Sequence, residues 1–337
     1  MKTLRGKMKR SPVAAGALIL FAAALLRGPA AAEDKKESPL VTAAKSLKLG
    51  GYAQFMAAEW DKVEKDTFSL RRARLSLSGG ILKNLKFKIQ MELVKSPVLL
   101  DAQIEFEPLQ AVGLRFGQFL IPFSLESVTS TGDLDMINRT KVVDSLAAGR
   151  DNGASGRDVG AVLYGRWSIL EYTAGLVNGA GINKSDTNNH KDFSGRVVLR
   201  PLKFLAVGGS LYRGKQTLTA DSPLVARDKE GLEAALSFKG VTVKSEYIHA
   251  EDDLVSRAGW YVQGGCLVLK GKLQPMLRYE SLDLDRSIAG NGTRVLAAGL
   301  NWFILGKTKL QVNYEIHTFE GGARQKSALL AQFQAAF

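Results

Sequence analysis

The window LKFKIQMELV, residues 85–94, sorts by parity: Leu85, Phe87, Ile89, Met91 and Leu93 fall on one side, Lys86, Lys88, Gln90 and Glu92 on the other. An extended chain turns successive side chains to opposite faces, so this period of two predicts a strand with one apolar face. The same sorting recurs in DAQIEFEPL, where Ala102, Ile104 and Phe106 oppose Asp101, Gln103, Glu105 and Glu107. It recurs in KLQVNYEIH, with Leu310, Val312, Tyr314 and Ile316 against Gln311, Asn313, Glu315 and His317.

Sixteen such segments can be marked, near 47–60, 67–79, 85–95, 98–107, 111–121, 158–167, 170–178, 193–201, 204–214, 229–239, 241–250, 257–269, 272–284, 292–304, 308–319 and 325–337. Links after even-numbered segments are short, as in GILKN, RPLKF and KG; those after odd-numbered segments are mostly longer. The link after the fifth is about 36 residues, and Gly214–Asp228 is another expected loop. An even strand count with alternating short and long links describes a transmembrane antiparallel β-barrel of the bacterial outer membrane, with the short turns periplasmic. A soluble sandwich would also alternate, but it needs a dry inner face, and the polar faces here carry many full charges. In a barrel of about 16 strands that face borders a water-filled lumen. Aromatics at strand ends, Trp60, Trp167, Trp260, Trp302, Tyr172, Tyr279 and Phe303, are expected as interfacial girdles.

Composition modifies this picture at the N-terminus. The formal net charge is +13, but residues 1–32 hold six basic residues and no acid, which leaves 40 basic residues against 33 acidic in the remainder. That segment has a basic start, the apolar run VAAGALILFAAALL and the triplet Ala30-Ala31-Ala32. Those are the parts of a secretory signal peptide, and the run is shorter than the roughly 20 residues a bilayer span needs. Residues 1–32 are therefore expected to be removed on export, 33–46 to form a short periplasmic segment and 47–337 the barrel. Cys266 is the only cysteine, which excludes an intrachain disulfide and a multi-cysteine metal site. No P-loop and no HExxH motif occur, and no cofactor or metal is expected. The acidic runs AEDD, 250–253, and DLD, 283–285, are read as solvated loop charge.

Several stretches are similar to a known family: LRRARLSLSG at 70–79, LRFGQFLIPFSLE at 114–126, TSTGDLDMINR at 129–139, GRDVG at 156–160, VNGAG at 177–181 and the terminal phenylalanine. Together they resemble the phosphate-selective porins O and P. That resemblance implies a trimeric 16-stranded channel whose long third extracellular loop, 121–157 here, folds into the lumen as a constriction, with lumen arginines and lysines attracting anions such as phosphate. GRD occurs twice, at 149–151 and 156–158; the second copy runs directly into a strand and is taken as the family motif.

With the apolar parity facing lipid, the lumen cations are Arg72, Arg74, Lys86, Lys88, Arg115, Arg196, Arg200, Lys244 and Arg278. The same parity carries Glu92, Asp101, Glu105, Glu107, Glu233, Glu246 and Glu280, so the lumen is mixed. Clustering then matters, because a Debye length of about 8 Å at physiological salt confines each field. Arg72, Arg74, Lys86 and Lys88 share one wall of two consecutive strands. In the loop, Arg139, Lys141, Arg150 and Arg157 are interspersed with aspartates. In FSLRRARLSLSG, residues 68–79, Arg71 falls on the lipid parity and is expected to snorkel at the interface. Phe68 and Leu70 break the alternation, so the strand is expected to leave the membrane there or to pack against the inserted loop.

These features predict passive diffusion of small anions, phosphate or related oxyanions, with a general, weakly selective porin as the alternative. Outer-membrane lipid and lipopolysaccharide are the expected surroundings. A lipase-type enzyme would need a serine paired with a histidine, and His249 and His317 offer no evident partner in the sequence. Nucleic acid binding would need a basic helix or an aromatic platform, neither of which is evident.

Overall fold

The computed structural model describes residues 46–61, 66–217, 223–322 and 325–337. The expected signal peptide and residues 33–45 lie outside them. Sixteen antiparallel strands form one closed barrel in sequence order: β1 (Lys48–Trp60), β2 (Thr67–Leu82), β3 (Leu85–Glu92), β4 (Leu99–Leu109), β5 (Val112–Leu120), β6 (Arg157–Trp167), β7 (Leu170–Val177), β8 (Asp192–Leu202), β9 (Leu205–Thr217), β10 (Leu224–Phe238), β11 (Val241–Asp252), β12 (Val255–Cys266), β13 (Leu273–Asp283), β14 (Thr293–Leu305), β15 (Thr308–Phe319) and β16 (Lys326–Ala336). Closure is made by β16 on β1, from Tyr52 opposite Ala336 to Trp60 opposite Ala328. Gly51 and the terminal Phe337 then exchange two backbone hydrogen bonds of 3.1 Å. Among the described residues no helix is long and apolar enough to cross a membrane.

The two parities behave as the alternation demands. On β15, Gln311, Asn313, Glu315 and His317 are buried inside, while Val312 and Tyr314 are exposed on the outer face. Six of the seven connections on one rim are two-residue turns: Lys83–Asn84, Gln110–Ala111, Ser168–Ile169, Lys203–Phe204, Lys239–Gly240 and Gly306–Lys307. That rim is the periplasmic one, because short turns lie on that side of outer-membrane barrels.

Three sequence expectations are corrected. The register of β1 on β2 shifts between Gln54 and Phe55, so Gln54 faces Arg72 and Phe55 faces Leu70. Arg71 is the extra residue of this β-bulge, and the bulge moves Phe68 and Leu70 onto the lipid face and Arg71 into the lumen. Phe68 stacks on Phe55 outside, with ring centroids 5.9 Å apart. Trp60 is not a girdle residue: it packs in the lumen near Ile137 and against the His317 ring, and Phe303 shares the lumen parity of Asn301. Trp167, Trp260, Trp302, Tyr172 and Tyr279 do lie on the outward parity. The loop expected over Gly214–Asp228 is largely strand, because β9 and β10 extend through Thr217 and Leu224 as a paired ribbon. In that ribbon Arg213 meets Asp228 at 3.7 Å.

The fold makes one stringent demand at Gly117, which holds φ 113° on β5, where an added Cβ would clash with the Ala102 carbonyl oxygen of β4. Gly117→Ala is expected to cost about 1–3 kcal/mol from the left-handed backbone alone. Semi-native electrophoresis checks this through a lower temperature of conversion from the folded to the unfolded band.

Candidate functional site

The 36-residue segment 121–156 between β5 and β6 turns into the barrel. It carries two short helices, α1 (Leu125–Val128) and α2 (Lys141–Leu146), capped by the side chains of Ser124 and Thr140. Ile121, Phe123, Val142, Val143 and Leu146 make an apolar cluster with the inward-facing Val162, Val177, Tyr212, Ile248, Tyr261 and Leu282. An apolar loop face thus finds an apolar patch inside an otherwise polar lumen.

Wall side chains fix the loop's backbone. Glu246 accepts the Leu125 and Glu126 amides at 2.8 and 2.7 Å and the Tyr261 hydroxyl at 2.7 Å. Asp135 accepts from Lys244 at 2.6 Å and from Gln263 at 3.0 Å. Lys309 donates to the Leu134 carbonyl and Arg278 to that of Asn138, both at 2.8 Å. Within the loop, Glu126 accepts the Thr140 amide and hydroxyl at 3.0 and 2.7 Å.

Docked in this way against β9–β16, the loop leaves a cavity of about 580 Å³ beside β2–β4. Its lining holds ten basic side chains, Arg71, Arg72, Arg74, Lys88, Lys95, Arg139, Lys141, Arg150, Arg157 and Arg278, against five acids, Glu92, Asp101, Asp144, Glu280 and Glu315. The acids are engaged by cations. Arg74 meets Glu92 at 3.0 Å, Lys88 and Arg157 meet Asp101 at 2.7 and 2.6 Å, and Arg278 lies between Glu280 and Glu315 at 3.4 and 3.6 Å. Asp144 sits 3.9 Å from Arg139 and 3.6 Å from Arg150. Among the described residues, Arg71 and Arg72 have only neutral hydrogen-bond partners: Arg72 donates to Gln54 at 2.9 Å, and Arg71 to Asn138 at 2.6 Å and Gln332 at 3.4 Å. Amide oxygens orient both guanidiniums without cancelling their charge.

Burial pushes the Arg150 guanidinium down to about 9, and the like charge of Arg139 adds to the shift. Burial likewise lowers Arg139, against the opposing pull of Glu126 and Asp144. At neutral pH Arg150 therefore remains cationic, close beside Arg139 in the loop's basic lining of the cavity.

Of the cations read from the sequence, Arg72, Arg74, Lys88 and Arg278, with loop residues Arg139, Lys141, Arg150 and Arg157, come together at this constriction. The others do not. Lys86 pairs with Glu107, Arg115 with Glu105 at 2.7 Å while lying over the Tyr164 ring, Arg196 with Glu233, Arg200 with Glu171 at 2.9 Å, and Lys244 with the loop's Asp135. The wall of four cations expected from β2 and β3 is therefore cut to three. All seven lumen acids read from the sequence are taken up by cations or by loop amides. Asp252 of the AEDD run is not solvated: it is buried beside Arg257 at 3.1 Å and Lys229 at 3.5 Å.

Each GRD copy contributes an ion pair, Asp151 meeting Arg227 at 2.6 Å and Arg157 meeting Asp101 at 2.6 Å. Burial works to raise the Asp151 carboxyl, but Lys229 and Arg227 outweigh it and hold it below its ordinary range. Arg71, Gln54 and Asn138 were missed as site residues. The signal was present, because the apolar phase slips by one between Leu70 and Ala73. His249 does have a serine partner, Ser256 at 3.1 Å on the outer face. Glu251 approaches the same Nε2 nitrogen at 4.0 Å, so it does not orient the ring from Nδ1 as a triad acid does.

A closed barrel with an apolar exterior, a charged lumen and an in-folded loop narrowing it is a porin. The model of the phosphate-selective porin O and P family matches residues 49–239, more than half of the chain, and the chain belongs to that family. No curated protein matches it in sequence. Its fold is similar to that of an anion-selective porin from Comamonas acidovorans (15% identity, 87% of this chain and 99% of that one covered, TM-score 0.70). It is also similar to the outer membrane channel DcaP of Acinetobacter baumannii (10%, 86% and 97%, 0.64) and to OmpT of Vibrio cholerae in its trimer form (12%, 86% and 99%, 0.59).

Removing the Asp135 anchor tests the docking. In Asp135→Ala, Lys244 and Gln263 lose their acceptor, and single-channel recordings are expected to show higher conductance with more flicker. Unchanged traces would mean that the apolar cluster alone fixes the loop.

Proposed function

We propose that this porin is an outer-membrane channel for passive diffusion of small anions, with phosphate or related oxyanions as the solutes its constriction suits best. The observation that carries this reading is the excess of cations lining the cavity beside the in-folded loop, with Arg71 and Arg72 held by neutral amides. Arginine suits an oxyanion because its planar fork donates two parallel hydrogen bonds, whereas Lys88 and Lys141 act as mobile point charges. Residual attraction spread over several moderate sites permits release as well as entry. Arg72, Arg74, Lys88, Arg278, Arg139, Lys141, Arg150 and Arg157 would form the anion pathway with Arg71. Lys86, Arg115, Arg196, Arg200 and Lys244 would serve the wall through their ion pairs. The anion selectivity of the similar Comamonas acidovorans porin agrees with this.

Export through cleavage of residues 1–32 follows from the three-part N-terminal segment, and assembly as a homotrimer is consistent with the similar OmpT trimer form. Outer-membrane lipid and lipopolysaccharide would surround the apolar exterior.

The alternative is a general porin, which the five acids at the constriction would favour if their pairings were loose. Planar-bilayer recordings in a chloride gradient separate the two readings. The anion reading expects a reversal potential of anionic sign and a chloride current reduced by millimolar phosphate, and a several-fold fall in anion preference in the Arg71→Gln/Arg72→Gln variant. A cationic reversal potential would sink it; an anionic one insensitive to phosphate would favour the general porin.

A further inference from the structure

The two rims of the barrel differ in charge. The turns on the periplasmic rim, 83–84, 110–111, 168–169, 203–204, 239–240, 267–272 and 306–307, contain Lys83, Lys203, Lys239, Lys270, Lys272 and Lys307 and no acidic residue. Connections on the opposite rim mix both signs, with Asp61, Asp186, Asp253, Asp285 and Glu320 among them. Lys307 is taken by Asp133 of the in-folded loop at 2.7 Å. The others are exposed, and next to them stand exposed apolar residues: Leu82, Leu202, Phe204, Phe238 and Leu269.

On two adjacent turns these features converge. The β8–β9 turn is Lys203–Phe204, and the β10–β11 turn is Lys239–Gly240 directly after Phe238. Because β9 pairs with β10, the two rings meet, with centroids 5.2 Å apart and planes tilted by 58°. The Lys239 ammonium is held 5.2 Å from the Phe238 ring centroid. Lys239 also adopts φ 48°, a left-handed turn position that glycine or asparagine occupies with less strain. Lys270 does the same at φ 57°. The left-handed pair Lys239–Gly240 is the backbone a two-residue hairpin turn requires, but that turn does not call for a lysine, and the two rings stand exposed on the outer face. Among the described residues, no carboxylate pairs with Lys203 or Lys239.

We propose that Lys203, Phe204, Phe238 and Lys239 form a binding site for an anionic glycerophospholipid of the inner leaflet. This inference rests on the outer-membrane reading given above. The Phe204–Phe238 pair lies against the upper acyl chain at the edge of the hydrocarbon layer, where amphipathic and aromatic anchors settle. The two ammonium groups then bracket the headgroup phosphate and any further negative charge beside it. Charge complementarity selects lipid over an acidic protein here, because the rings that flank the lysines face outward, toward the bilayer. The remaining rim lysines supply the broader field that draws anionic lipid to this edge of the barrel.

Native mass spectrometry of the full-length mature protein, titrated with phosphatidylglycerol or phosphatidylcholine, tests the site. The wild type is expected to retain phosphatidylglycerol well above phosphatidylcholine, and Lys203→Gln/Lys239→Gln to lose that preference by a factor on the order of ten. Equal retention of the two lipids by the wild type, or an unchanged ratio in the variant, would overturn the proposal. Should the glutamine pair fail to fold, Phe238→Leu removes the ring beneath the ammonium while keeping an apolar side chain. Its phosphatidylglycerol preference should fall, and an unaltered one is equally fatal. Conductance of the same variants in a neutral bilayer reports on the channel reading separately: loss of lipid preference with unchanged reversal potential separates the lipid site from the pore.

Discussion

Inside the hydrocarbon layer no water is available to a backbone amide, so every strand must find two neighbours, and the sheet must close. The pairing of β16 with β1, completed by the Gly51–Phe337 hydrogen bonds, is the contact on which the rest depends. Closure sorts side chains into a lipid set and a water set. It also forces every inward charge to share a confined volume with the charges of strands far away in sequence. Arg71 of β2 and Gln332 of β16 become neighbours for that reason.

The same confinement explains the loop. A lumen lined only by polar side chains would hold water at each of them, but this wall carries an apolar patch around Ile248, Tyr261 and Leu282. Burying Val142, Val143 and Leu146 against it is favourable, and the carboxylates of Glu246 and Glu280 receive the loop amides that docking would otherwise leave without acceptors. The loop thus consumes some of the wall's negative charge while adding Arg139, Lys141 and Arg150 to the opposite bank. Selectivity and loop anchoring are in this sense one arrangement: acids that face the loop hold it, acids that face the opening are paired, and the surplus left over is positive.

Strand number, the inward and outward faces and the short-turn rim were legible in the sequence, because period-two alternation is a local property that each strand displays alone; that the long fifth link folds inward was implied by the family resemblance. Most lumen cations were legible for the same reason. Where the alternation slips, strict parity misplaced a residue: Arg71 was assigned to lipid because a one-residue bulge reverses every face beyond it. Trp60 was misplaced because an aromatic at a strand end was read as a girdle, although its parity is that of Gln54.

Away from the β2 bulge and the misread aromatics at strand ends, the sequence by itself determined which residues border water and which border lipid, since that division is fixed strand by strand. Only the tertiary structure decided which of the bordering charges survive uncancelled. Lys86 and Arg115 read no differently from Arg72 in the chain. Their carboxylate partners, Glu107 and Glu105, come from the neighbouring strand β4, whereas Arg72 meets Gln54 on β1. Net charge at a point in the lumen is a property of register and loop docking, which bring distant positions within a few ångströms, and no single strand carries that information.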